Sequence, residues 1–400
     1  MQTTYVEPIT FNNAPITTGG SCRTVHRIER GVEFATNLRI VNINFACTKS
    51  DGTGALTNLP LVAPLGICEG ISELRLETLD GTLIDSIQNA QLLALLLNQR
   101  APNAVLEGMG MVAGVGSYMT VNNSLNLQTM PRSFNSGLLL NASGYSLDLR
   151  KWFDFLNAVP AMNSGINIVI VWGNSFSRAG NNLVRLANTP LLAYDYVEGL
   201  YEKSVKENIQ YTAYITDRLS VPAGTNATQL QEMSMNVYSL KDKFIDCLLY
   251  VVCDATTNLP VLQQKQQYNQ TINGVQQFFA GATTGIGEAQ QYKQILDTAL
   301  IGGNMSFPIN HVRKLQCDSV ATGDYKLDDA TLADCLATYS QLNVIGSNVY
   351  GRINTHIIRY IRQNIAGDAT TYNALNLNMF AKVRKVASFD GQGRLVEAFA

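Results

Sequence analysis

A chain of 400 residues exceeds the roughly 100–200 residues of an average domain, so two domains are expected. Hydrophobic residues make up 46% and charged ones only 15%, which excludes a disordered chain. The net charge of −2 excludes a nucleic-acid binder that works through bulk positive charge. Asn fills about one position in eleven, alongside many Gln, Ser and Thr. A neutral polar surface costs less to desolvate than a Lys/Glu surface, which suits burial in many protein–protein contacts.

Residues 1–20 carry Pro8, Pro15 and Gly19-Gly20 and read as an extended arm instead of a folded element. They lack a basic stretch followed by an apolar one, so no signal peptide is expected. The alternation Leu38–Phe45 then gives a strand in which Ile40, Asn42 and Asn44 oppose Val41, Ile43 and Phe45. In Ile71–Leu79 apolar residues interleave with Glu73, Arg75 and Glu77, a strand with one charged face, and Asp80-Gly81 is a strong hairpin signal before the returning strand Thr82–Ile87. Ala90, Leu93, Ala94 and Leu97 follow the helical period, which predicts a short buried helix over 88–99 that Pro102 ends.

Gly108–Gly116 is a flexible apolar stretch, residues 120–145 read as loop or short strands, and Leu147–Asp154 leads into a turn-rich excursion. Ile166–Trp172 is apolar on both faces, so both faces are expected to be covered. The polar stretch Gly173–Pro190 is the best linker. Beyond it, Ile209–Ile215 and Phe244–Cys253 read as strands, and the Gln-rich excursion 262–300 carries helical stretches. Asp328–Leu342 reads as a helix. Residues 349–365 are ambiguous: Ile353, Ile357, Ile361 and Ile365 recur every four positions, which favours helix, while the β-branched content favours strand; the balance leans to helix. Leu375–Val386 and a tight turn at Phe389–Arg394 close the chain. The domains expected are an arm over 1–20, a first sandwich over 21–175, a linker over 176–194 and a second sandwich over 195–400.

No catalytic pattern emerges. His26, His311 and His356 are far apart and form no metal-binding motif, so no metal or cofactor is expected and the chain does not read as an enzyme. Gly108–Gly116 and Gly281–Gly287 lack the register of phosphate loops, and no Ser has a nucleophile-elbow context. Glu73 and Glu77 lie roughly 13 Å apart along a strand, beyond the paired carboxylates of a glycosidase. The tripeptides starting at Asn122, Asn141, Asn226, Asn269 and Asn304 read as chance matches to the glycosylation pattern. Cys22, Cys47, Cys68, Cys247, Cys253, Cys317 and Cys335 are odd in number and irregular in spacing, as expected of reduced thiols made in a cytosol. The apolar runs Leu92–Leu97 and Cys247–Cys253 are too short to span a membrane as a helix. One local excess of charge remains: Arg352, Arg359, Arg362, Lys382, Arg384 and Lys385 form a basic cluster, read either as a solvated face or as a candidate face toward anionic lipid headgroups or packaged nucleic acid.

The order of these elements resembles the double jelly-roll major capsid proteins of tailless icosahedral viruses, including bacteriophages with an internal membrane and the adenovirus lineage. The first domain is matched by strand Ile71–Leu79, its Asp80-Gly81 turn, the helix over Gln88–Gln99, the excursion ending Leu156–Pro160 and the strand Ile166–Trp172. The second is matched by Phe244–Cys253, the excursion 262–300 and the return Phe307-Pro308-Ile309. The resemblance implies an all-β chain of two tandem jelly-roll sandwiches with short helices in the excursions. It implies a homotrimer that forms a pseudo-hexagonal block and tiles a shell. Its partners would be itself, neighbouring trimers and minor capsid or penton proteins, with an anionic internal membrane as a further candidate and no specific nucleic-acid recognition. The location would be the virion, after synthesis in a host cytoplasm. The alternative is a carbohydrate-binding or receptor-binding β-sandwich of the spike type, which the 17 Tyr keep open although there are only two Trp.

Overall fold

The computed structural model describes residues 2–16, 22–29, 34–48, 66–98, 144–159, 165–173, 183–196, 208–224, 231–256, 266–276, 344–347, 351–362, 373–390 and 394–399. The expectations for Gly108–Gly116, Gly281–Gly287, Phe307–Ile309 and Asp328–Leu342 lie outside these residues. The chain divides into two compact units. Unit 1 holds Met1–Ala213, Leu315–Ala337 and Lys385–Phe399, and unit 2 holds most of the remainder, Tyr214–Lys314 and Thr338–Arg384.

Unit 1 is built on a five-stranded sheet and a four-stranded one. In the first, β2 (Thr10–Asn12), β3 (Cys22–Ile28), β9 (Ile166–Trp172), β6 (Ile71–Thr78) and β7 (Leu83–Gln88) lie side by side in that order. The second runs β1 (Gln2–Val6), β11 (Leu191–Tyr196), β4 (Phe34–Ile43), β8 (Tyr145–Asp148). A two-stranded piece, β5 (Phe45–Thr48) with β10 (Leu183–Leu186), extends β4 and β11, since only Asn44 separates β4 from β5. Neighbours distant in sequence mean that the chain crosses between sheets instead of meandering within one.

Strand β9 is apolar on both sides for a physical reason. It is hydrogen-bonded between β3 and β6, and Ile166, Ile168, Ile170 and Trp172 are fully buried with Val169 nearly so. The Trp172 ring meets Phe45 of β5 edge-on at 5.9 Å, so the core includes side chains from both sheets. The hairpin β6–β7 turns where the sequence places it, with Gly81 at φ 91° and Gly81 N–H donating to Thr78 O. Helix α1 (Ala90–Asn98) follows and buries Ala90, Leu92, Leu93 and Ala94.

Three expectations change here. The arm is folded over 2–16: β1 pairs with β11 and β2 with β3, and Thr3 Oγ1 donates to buried Asp195 Oδ1 at 2.7 Å. The linker expected over 176–194 holds β10 and the start of β11, because their partners β5 and β4 are in unit 1. The face assignment of residues 38–45 also changes. Leu38, Ile40, Ile43 and Phe45 are buried while Val41 is half-buried, because Asn42 takes φ 61° and shifts the register against β8. An extra residue in a strand inverts the side-chain parity beyond it, and Asn tolerates the left-handed conformation that this bulge needs.

Unit 2 contains most of a six-stranded sheet in which β12 (Asn208–Val221), β20 (Leu375–Phe389), β14 (Phe244–Asp254) and β17 (Val344–Ser347) are adjacent, with β18 (Gly351–Arg352) also on β14 and β21 (Leu395–Phe399) on β20. Residues 208–213 of β12, the last five residues of β20 and all of β21 are assigned to unit 1. A four-stranded sheet has β13 (Gln231–Asn236), β19 (His356–Arg362), β15 (Gln266–Ile272) and β16 (Val275–Gln276).

Residues 356–362 are thus strand, not helix. β19 is paired on both sides, and Ile358 and Tyr360 are buried while Ile357 stays partly exposed, which is period-two burial. The four-residue spacing of isoleucines was coincidental, and the β-branched content was the truer signal. Likewise 266–276 is a hairpin turning on Asn273-Gly274, both at positive φ, where helical stretches were expected. Asn273 also ties this turn to the loop before β19, donating to Arg352 O and accepting from Asn354 and Thr355 N–H.

Candidate functional site

The acidic face of β6 is a ladder with its counter-charge built in. Arg75 Nε lies 3.3 Å from Glu73 Oε1 and its Nη1 lies 3.4 Å from Glu77 Oε1, all half-buried. One guanidinium thus lies between two carboxylates of the same strand face. Among the described residues, no three His, Cys, Asp or Glu side chains are grouped to hold a metal ion. His26 and His356 are buried in different units. Burial holds each imidazole down to about 4, so both are neutral at pH 7. His311 lies outside the described residues. Cys22, Cys68 and Cys253 are buried, and burial pushes the Cys22 thiol up to about 11, which makes it unreactive.

Four of the six residues of the basic cluster stand in ion pairs. Arg352 on β18 stands 3.5 Å from Asp242, and Arg359 on β19 stands 2.6 Å from Glu232 on β13, whose carboxyl this contact holds below its usual range. Arg384 on β20 is 3.1 Å from Asp246 on β14 and also stacks over the Phe244 ring at 4.5 Å. Lys385 is 3.7 Å from Asp85. Lys382 is half-buried on β20, and Arg362 is the last residue of β19. The acids that pair with these cations come from distant parts of the chain, which is why a local count of charge suggested an uncompensated patch.

Sequence reasoning missed a buried polar cluster around Asp85 in unit 1. Asp85 on β7 is 1% exposed, and Lys385 Nζ reaches both its Oδ1 and, at 3.1 Å, Ile84 O. Tyr211 OH donates to the same Ile84 O at 3.4 Å, and its ring meets Phe155 edge-on at 5.2 Å. Nearby Asp154 Oδ2 accepts from both N–H and Oγ1 of Thr212 at 2.9 Å. The segment Leu83-Ile84-Asp85-Ser86-Ile87 gives no sign that Asp85 is internal, since its partner stands near the other end of the chain.

No protein-family model matches the chain, and no curated protein matches it by sequence. Solved structures do. The mavirus major capsid protein is similar at a TM-score of 0.52 and 12% identity, over 98% of this chain and 89% of that one. The PBCV-1 VP54 structure fitted into a reconstruction of the virophage Sputnik is similar at 0.52 and 12%, over 99% and 96%. The likeness gives the chain its fold class: all-β, two tandem jelly rolls, as the sequence led one to expect.

Proposed function

We propose that the chain is the major capsid protein of an icosahedral virus, assembling as a homotrimer whose six jelly rolls form a pseudo-hexagonal block. The observation that carries this reading is the extent of the likeness. It runs over 98–99% of the chain against the mavirus major capsid protein and the PBCV-1 VP54 structure. The neutral, Asn-rich composition supports it, because such surface is cheap to bury between subunits. The paired state of Arg352, Arg359, Arg384 and Lys385 supports an in-chain structural role for these four in place of a headgroup- or genome-facing cluster.

Light scattering on the purified protein tests the assembly. A stable species of three chains is expected, three times the 43.7 kDa chain mass, and a monodisperse single chain at micromolar concentration would overturn the reading. The spike-type alternative predicts instead that the protein is retained on a glycan array.

A further inference from the structure

Asp85 and Lys385 form a buried pair. Asp85 is 1% exposed, the Lys385 side chain 15%, and Nζ lies 3.7 Å from Oδ1. The two oxygens of Asp85 are not equivalent. Oδ1 accepts the Ser86 N–H at 2.9 Å, while Oδ2 has no hydrogen-bond partner among the described residues. A buried carboxylate with an unsatisfied oxygen recovers its desolvation cost poorly, so the neutral carboxylic acid gains on the carboxylate. Burial pushes the Asp85 carboxyl up to about 7 in spite of the adjacent Lys385 charge, and the Asp154 carboxylate adds to the rise. Beside the pair stands the buried ring of Tyr211, whose hydroxyl shares Ile84 O with Lys385 Nζ and which meets buried Phe155 edge-on; apolar burial of this kind limits the water that would hydrolyse a linkage.

We propose that Lys385 and Asp85 condense into an intramolecular isopeptide bond, a covalent modification that fastens strand β20 to strand β7. One proton passes from the Lys385 ammonium to the Asp85 carboxylate and settles on Oδ2, giving a free amine and a carboxylic acid. The Nζ lone pair attacks Cγ and a C–N bond forms. A second proton moves from Nζ to the departing oxygen, the Cγ–Oδ2 bond breaks, and one water leaves. The Ser86 N–H polarises Oδ1 during attack and stays bonded to it as the amide carbonyl oxygen. The one hydrogen left on Nζ has its acceptor in place, Ile84 O at 3.1 Å. No oxidant, metal or co-reactant is needed, and holding the two groups together supplies the entropic part of the barrier.

The intact mass of the denatured wild-type protein decides. The expected mass is that of the sequence less one water, and a protease digest should contain one branched peptide joining the Asp85 and Lys385 segments. K385R and D85A should keep the full mass, and the wild-type chain should unfold at a higher temperature than K385R. A wild-type chain at full sequence mass with both peptides linear would overturn the proposal. So would loss of one water traced to a succinimide at Asp80-Gly81, because that leaves the two segments unjoined. The wild-type measurement stands whether or not the variants fold.

Discussion

Trp172 Nε1 donates to Thr24 Oγ1 at 3.2 Å across adjacent strands, and neither residue has any surface open to solvent. The indole is the largest fully buried side chain among the described residues, and the threonine hydroxyl satisfies its only donor. Thr24→Val keeps the shape and removes the acceptor. The expected cost is about 1–3 kcal/mol, which lowers the melting temperature by roughly 2–4 °C per kcal/mol for a domain of this size. Thermal unfolding followed by circular dichroism measures it, and an unchanged midpoint would show that Nε1 has another acceptor.

Two glycines at positive φ should respond differently to alanine. A Cβ on Gly144 would come within 2.7 Å of the Asn42 backbone, at the bulge that inverts strand parity, whereas a Cβ on Gly274 meets nothing within 4 Å. Gly274→Ala should therefore cost only the conformational penalty of about 1–2 kcal/mol. Gly144→Ala should cost distinctly more, because backbone has to move. Urea midpoints of the two variants check the order.

The parts of the fold legible in the sequence were those set by near neighbours. Strand Ile166–Trp172, the Asp80-Gly81 turn and helix α1 each follow from periodicity or turn chemistry within ten residues. The Asn42 bulge was hidden, since one residue at positive φ leaves the composition of its strand unchanged. The folded arm and the pairing of β10 with β5 depend on partners far along the chain. Asn273-Gly274 was a readable hairpin signal, masked by its Gln-rich setting. The buried Asp85–Lys385 cluster had no local signature, and Lys385 was grouped with surface cations because its sequence neighbours are cationic.

Acid should loosen unit 1 through His26. Its folded value is about 4 against an ordinary 6.5, so the unfolded chain takes up the proton first. The contribution is fully present above pH 6.5 and is lost as pH falls from there through 4, about 3 kcal/mol in all. His356 has the same sign in unit 2. An unlinked Asp85 has the opposite one, its contribution present below 3.8 and lost as pH rises through 7. The difference between wild type and His26→Leu isolates the histidine: the variant's urea midpoint should fall less between pH 7 and pH 4.5. Parallel slopes for the two proteins would contradict the assignment.

Electron microscopy of the purified assembly tests the capsid reading most directly. Two jelly rolls per chain in a closed trimer predict a flat-sided block with six lobes and three-fold symmetry, seen alone or tiled into sheets and closed shells. Fields of separate two-lobed particles of one chain, with no block or tile at any concentration reached, would contradict it.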